Sequence, residues 1–257
     1  MSDNNSTGRT ILVAAALSVV CSVVVSATAV MLKPKQEENK LLDRQKNILA
    51  AAGLLDDSKE IATLFKQVEA RAVDLDSGRF DDAINPCGFD QKKASKDPAT
   101  SRKLTKSEDI AGIGRREKTS LVYLVRDNTK IKTVILPIRG YGLWSTLYGY
   151  LAVQGDGKTV VGLTYYEHAE TPGLGGEVDN PAWKALWPGK QLYDASGKPA
   201  IQVIKGKVDP HSANASHQVD GLAGATLTSR GVQHMFTYWL GEEGYGPFLR
   251  HLREHTL

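Results

Sequence analysis

From Thr10 to Leu32 the chain runs for 23 positions without a charged side chain; beyond Leu32, apolar residues recur at shorter intervals among charged ones. At about 1.5 Å of rise per residue, a helix of that length reaches roughly 34 Å, which covers a hydrocarbon core about 30 Å thick. The pattern predicts a membrane-spanning helix over 10–32. A secretory signal peptide is the other reading, because Ala27-Thr28-Ala29 resembles a cleavage site, but the run exceeds the ~7 to 15 residues of a signal core. Its polar side chains are Thr10, Ser18, Ser22, Ser26 and Thr28. Their hydroxyls can bond back to helix carbonyls, and none offers a charge to relay an ion. The segment anchors; by itself it does not transport.

Past the anchor, Leu41, Leu42, Gln45, Ile48, Leu49 and Ala52 keep helical spacing up to Gly53. A second helix is expected to open with Asp57 and Glu60 as a capping box and to carry Ile61, Leu64, Phe65, Val68 and Ala72 on one face. The stretch from Asn85 to Asp109, rich in Lys, Ser, Asp and Pro, reads as an irregular solvated surface rather than a site for an anionic partner. Short β-like runs follow. Leu121 to Val125 and Lys132 to Leu136 flank Asp127-Asn128, and Leu147 to Val153 and Thr159 to Tyr166 flank Gly155-Asp156-Gly157. A further strand is expected around Ala200 to Lys205, and Val232, Met235, Phe236, Trp239 and Leu240 mark an amphipathic helix. Helix, hairpins, then helix predict an α+β domain of mixed helix and antiparallel sheet.

Composition bounds this picture without changing it. The 257 residues are 41% apolar and 24% charged with a net charge of +3, which excludes a disordered acidic or basic tail and a collagen-like repeat. Nothing in the pattern points to nucleic acid. Cys21 lies in the anchor and Cys87 in the domain, so the domain is expected to fold without a disulfide. Counted literally, the positive-inside rule sets Arg9 against Lys33, Lys35, Lys40, Arg44 and Lys46 and places the domain in the cytoplasm.

Three segments concentrate chemistry. Glu167-His168-Ala169-Glu170-Thr171-Pro172-Gly173-Leu174-Gly175-Gly176-Glu177 packs glycines that allow close backbone approach, suited to a planar polar ligand such as a flavin, or to an anion. A plain surface turn is the competing reading, and its acidic residues and histidine match no metal-ligand spacing. Arg139-Gly140-Tyr141-Gly142-Leu143-Trp144-Ser145 sets two aromatic rings among glycines, for stacking on a heteroaromatic ligand or for the core. Asp220-Gly221-Leu222-Ala223-Gly224-Ala225-Thr226-Leu227-Thr228-Ser229 feeds the amino terminus of the last amphipathic helix. Either Thr228 or Ser229 is its N-cap, or the free amides and helix dipole receive a phosphate.

Together these segments closely resemble the C subunit of the bacterial sodium-translocating NADH:quinone reductases. The resemblance runs over nearly the whole chain, including the anchor and the Asn47-Ile48-Leu49-Ala50-Ala51-Ala52-Gly53 helix. It implies a flank at 1–9, an anchor at 10–32 and an FMN-binding domain at 33–257 with its flavin-site segments at 139–240. In that family a flavinyltransferase joins FMN through its phosphate to a threonine, in the pattern Asp, two variable residues, Ser or Thr, then Gly-Ala-Thr. Asp220, Gly224, Ala225 and Thr226 match, which makes Thr226 the attachment residue; Ala223 departs, lacking the usual hydroxyl. Gly224 and Ala225 are then expected to shape the loop, and Thr171, Gly173, Leu174 and Trp144 to line the flavin, with no residue acting as acid or base. The resemblance further implies an electron-transfer role in an inner-membrane complex that oxidises NADH, reduces ubiquinone and exports sodium, with the domain periplasmic and other membrane subunits as partners. The flavin subunit of the ferredoxin:NAD ion-pumping complex and a non-redox tethered binding domain are the alternatives.

Overall fold

The computed structural model describes residues 7–256; of the flank expected at 1–9, only Thr7, Gly8 and Arg9 fall among them. The chain divides into two units, 1–44 and 45–257.

The first unit is helical. Helix α1 spans Thr7–Ala51, joining the anchor and the following helix into one element, with Pro34 inside it just beyond the apolar run. Its apolar residues from Ile11 to Leu32 are exposed, and its hydropathy and length suffice to cross a membrane. The Ser22 hydroxyl donates to the Ser18 carbonyl at 2.7 Å, and that of Thr28 to the Val24 carbonyl at 2.8 Å. These hydroxyls are thereby satisfied within the helix itself, as an apolar surrounding requires.

In the second unit, the end of α1 buries Ile48, Leu49 and Ala51. Helix α2 (Ile61–Phe65) is short, and the expected face ending at Val68 and Ala72 belongs instead to strand β1 (Val68–Asp74). Residues four apart share a face in a strand as well as in a helix, so that spacing could not separate the two. Glu60 sits at the N-cap of α2 without a side-chain capping bond, and the expected capping box is absent. After β2 (Arg79–Phe80), the stretch expected to be irregular holds α3 (Gln91–Lys96), capped by Asp90, and β3 (Ser101–Lys103), which pairs with β4 (Arg115–Glu117). Polar composition hides these elements because their stability comes from caps and pairing rather than from an apolar stripe.

The predicted hairpins form as expected. β5 (Thr119–Asp127) and β6 (Lys130–Tyr141) turn at Asn128, whose φ of 53° is left-handed, and β7 (Thr146–Gln154) and β8 (Val160–Glu167) turn around Gly157. With β1 and β2 they make a six-stranded antiparallel sheet in the order β2-β1-β5-β6-β7-β8. Then come α4 (Pro181–Lys184), β9 (Gln202–Val203), which is shorter than the strand expected at 200–205, β10 (Gln218–Val219), α5 (Thr226–Leu240) and α6 (Gly246–Arg253).

One face of the sheet buries Val122, Leu124, Val134 and Leu136 with Met235, Phe236 and Trp239 of α5 and Phe248 of α6; the other packs Tyr123, Ile135 and Tyr150 beneath Ile48 and Ala51. Trp187 and Phe236 stack at 4.5 Å between ring centres, and the Trp239 indole donates to the Arg139 carbonyl at 2.7 Å, fixing α5 to the end of β6. Arg139 itself pairs with the fully buried Glu117, through contacts of 2.8 and 2.5 Å. The strand end that leads into the first glycine-rich loop is therefore rigid.

Candidate functional site

The three chemistry-bearing segments are far apart in sequence but meet at one carboxylate. Glu170 is 5% exposed. Its Oε1 accepts from the amides of Leu143 at 3.0 Å, Trp144 at 2.9 Å and Ser145 at 3.1 Å, and its Oε2 accepts from the Thr228 hydroxyl at 2.7 Å. Burial works to raise the Glu170 pKa, but the Thr228 hydroxyl and the three amides outweigh it and hold the carboxyl below its ordinary value. The Ser145 hydroxyl adds a second tie, accepting from the Ala169 amide at 2.8 Å.

Two glycines make this closeness possible. A Cβ on Gly175 would lie 2.5 Å from both Glu170 Oε2 and Thr228 Oγ1, and one on Gly231 would lie 2.3 Å from the Tyr141 carbonyl. No side chain fits at either position: at Gly175 it would displace the bond between Glu170 and Thr228, and at Gly231 it would push α5 off the backbone of the 141–145 loop. Gly224, with φ of 73°, lies under the Leu174 side chain, which brings the second loop over the third.

Thr226 is exposed and is the first residue of α5. The expected cap is absent: Ala225 occupies the N-cap and offers no side-chain bond, Thr228 is committed to Glu170, and the Ser229 hydroxyl accepts from the Leu222 amide at 2.9 Å. The first amides of the helix are thus left for an external acceptor, at the positive end of its dipole. Trp144 is 67% exposed and Leu174 44%, with Tyr141 at 48% and Leu227 at 52%. Trp183, Trp187 and Trp239 fill the core while Trp144 does not, which removes the core reading for that ring. Thr171 and Gly173 are exposed on the turn, where the Thr171 carbonyl accepts from the amides of Leu174 at 3.1 Å and Gly176 at 2.9 Å.

Every residue expected at the site thus lies on one of the three segments that Glu170 ties together. Sequence alone offers Glu170 only as a metal ligand, and Thr228 only as a cap. His168 bonds Asp179 at 2.7 Å, and among the described residues no group of three or more His, Cys, Asp or Glu is placed to hold a metal ion. The residues fit a flavin phosphate better: an uncapped helix start, an exposed hydroxyl on its first residue, and exposed apolar side chains on the neighbouring loops.

Comparisons with known proteins identify the domain that holds these loops. A family model described as the FMN-binding domain matches residues 142–241, which contain all three loops but for the first residues of the 139–145 run. The chain is 58% identical over 258 residues to the C subunit of the Na(+)-translocating NADH-quinone reductase of Pseudomonas aeruginosa, covering 99% of both chains. It is 50% identical to the equivalent subunit of Vibrio vulnificus, which carries the same name, over the full length of both. The crystal structure of Shewanella oneidensis NqrC superposes with a TM-score of 0.77 at 40% identity, covering 84% of this chain and 99% of that one. The corresponding Na(+)-translocating NADH-quinone reductase subunit from Parabacteroides distasonis superposes with a TM-score of 0.64 at 27% identity, covering 85% and 96%. With identity at this level along its whole length, the chain belongs to the NqrC family, the C subunits of the Na(+)-translocating NADH-quinone reductases.

Proposed function

We propose that this protein is the electron-transfer subunit of a membrane complex that oxidises NADH, reduces ubiquinone and exports sodium ions, and that it carries FMN joined by a phosphodiester to Thr226. The observation that carries the attachment is the exposed Thr226 hydroxyl at the uncapped start of α5, beside exposed Trp144 and Leu174. When bound, FMN supplies the redox chemistry that no side chain here offers.

The chain's own residues bind and position. The amides at the start of α5 would hold the phosphate, Gly224 and Ala225 would shape the loop around it, and Trp144, Thr171, Gly173 and Leu174 would line the ring system. Glu170 holds those linings in register. Attachment is a group transfer by a flavinyltransferase: the Thr226 oxygen bonds to the flavin phosphorus, the bond from that phosphorus to the leaving group of a phosphoanhydride donor breaks, and the hydroxyl proton passes to the transferase. Ala223 brings no hydroxyl to this loop and leaves the acceptor in place.

Residues 10–32 form the span, and 33–257 form the domain, which stands on the periplasmic face against the literal charge count; large domains translocate despite basic flanks. With no charge between Thr10 and Leu32, the span provides no ion path, so sodium crosses through partner subunits. The attachment is tested by producing the chain with its flavinyltransferase and denaturing it on a gel. Flavin fluorescence should migrate with the wild-type polypeptide and be lost in Thr226→Val; fluorescence that survives the substitution would remove Thr226 from this role.

A further inference from the structure

The attachment loop and the first turn of the helix it feeds carry almost no charge of their own. Between Asp220 and Ser229 the one ionisable side chain is Asp220, and its carboxylate accepts from the Val208 amide at 2.8 Å. Ala223, Gly224 and Ala225 contribute no side-chain donor. A phosphodiester on Thr226 would then rely on backbone amides and the helix dipole, a partial charge that water and salt screen at an exposed site.

The next residue along is Arg230. It lies four positions after Thr226 on α5, so the two occupy neighbouring places on one face of the helix, and both are exposed. Helical side chains lean toward the amino terminus, which carries a long side chain at 230 back over the turn that begins with Thr226. Among the described residues the Arg230 guanidinium has no ion-pair or hydrogen-bond partner. The other large basic side chains adjoining the loop, Lys205 and Lys207, flank Gly206, whose carbonyl accepts from the Gly221 amide at 3.1 Å, at the far end from Thr226. The outward stripe of α5 therefore presents a threonine hydroxyl and an unpaired, planar cation at helical spacing.

We propose that Arg230 is the side-chain cation for the flavin phosphate: it donates to the phosphate oxygens when FMN is carried on Thr226, supplying the charge that the loop lacks. Arginine suits this task because its fork of donors matches two oxygens of one phosphate. The inference rests on the attachment proposed above, and it concerns a binding residue rather than one that takes part in electron transfer.

Phosphorus NMR of the full-length, flavinylated chain in detergent tests it, comparing wild type, Arg230→Gln, Arg230→Lys and Lys207→Gln. The wild-type resonance should be displaced from that of a small phosphodiester in the same buffer. Arg230→Gln should move it back toward that reference, with Arg230→Lys keeping most of the displacement and Lys207→Gln leaving it in place. Flavin loading by the transferase at limiting donor should fall roughly threefold to tenfold in Arg230→Gln. A resonance unchanged in Arg230→Gln, or moved equally by Lys207→Gln, would overturn the proposal. If Arg230→Gln does not load at all, rescue by Arg230→Lys supports it, and failure of that rescue counts against it. Absence of covalent flavin from the wild-type chain would instead defeat the attachment on which the inference rests.

Discussion

At the scale of single residues, Glu170 decides the shape of the site. Removing its carboxylate leaves the amides of Leu143, Trp144 and Ser145 and the Thr228 hydroxyl without their acceptor. Glu170→Ala should therefore cost about 3 kcal/mol or more, and Glu170→Gln, which keeps one acceptor oxygen, about 1 kcal/mol, both read from chemical denaturation. The pH dependence has a definite sign. Since the folded pKa lies below the ordinary 4.5, the carboxylate's contribution is fully present above that value and is lost as pH falls through the depressed one. The melting temperature of the wild type should fall more steeply below pH 4.5 than that of Glu170→Gln; parallel curves would show that Glu170 does not carry this linkage. Little of this is legible in the sequence. The glycines and Trp144 announce themselves by type, and Thr226 stands out only through the family motif, but the partners of Glu170 lie 25 to 58 residues away, and nothing in its neighbours says which amides it will meet.

Among the elements, those with a strong period or a strong turn can be read from the sequence. The two hairpins and the amphipathic face of α5 follow from alternation, turn residues and helical spacing, each a local property. β1 reads as helix because its Val68 and Ala72 satisfy both periods, and its choice of strand is made by pairing with β5, a non-local contact. α3, β3 and β4 escape such a reading because their sequences are polar and their order comes from tertiary pairing. α5 is the element on which the candidate site turns, since it joins the core face of the sheet to the 220–225 loop. Its Gly231 has room for no side chain against the Tyr141 carbonyl. Gly231→Ala should lower stability by about 3 kcal/mol and loosen the 141–145 loop, seen as faster amide exchange at 143–145. A variant as stable as wild type would contradict the close approach on which the site depends.

Across the whole molecule, the division of the chain into an uncharged run and a mixed remainder corresponds to an exposed apolar helix and a folded α+β unit. The two cysteines turn that division into a topology test, because Cys87 is exposed and Cys21 lies in the apolar run. In intact spheroplasts a membrane-impermeant maleimide should label Cys87, with labelling lost in Cys87→Ser; labelling only after permeabilisation would place the domain in the cytoplasm. The central claim is that a flavin phosphate is bonded to Thr226. Trypsin should release residues 208–230 as one peptide, bounded by Lys207 and Arg230. Mass spectrometry of the chain made with its flavinyltransferase should find that peptide heavier by FMN less one water, with fragment ions that assign the addition to Thr226. An unmodified peptide, or an addition assigned to Thr228 or Ser229, would contradict it.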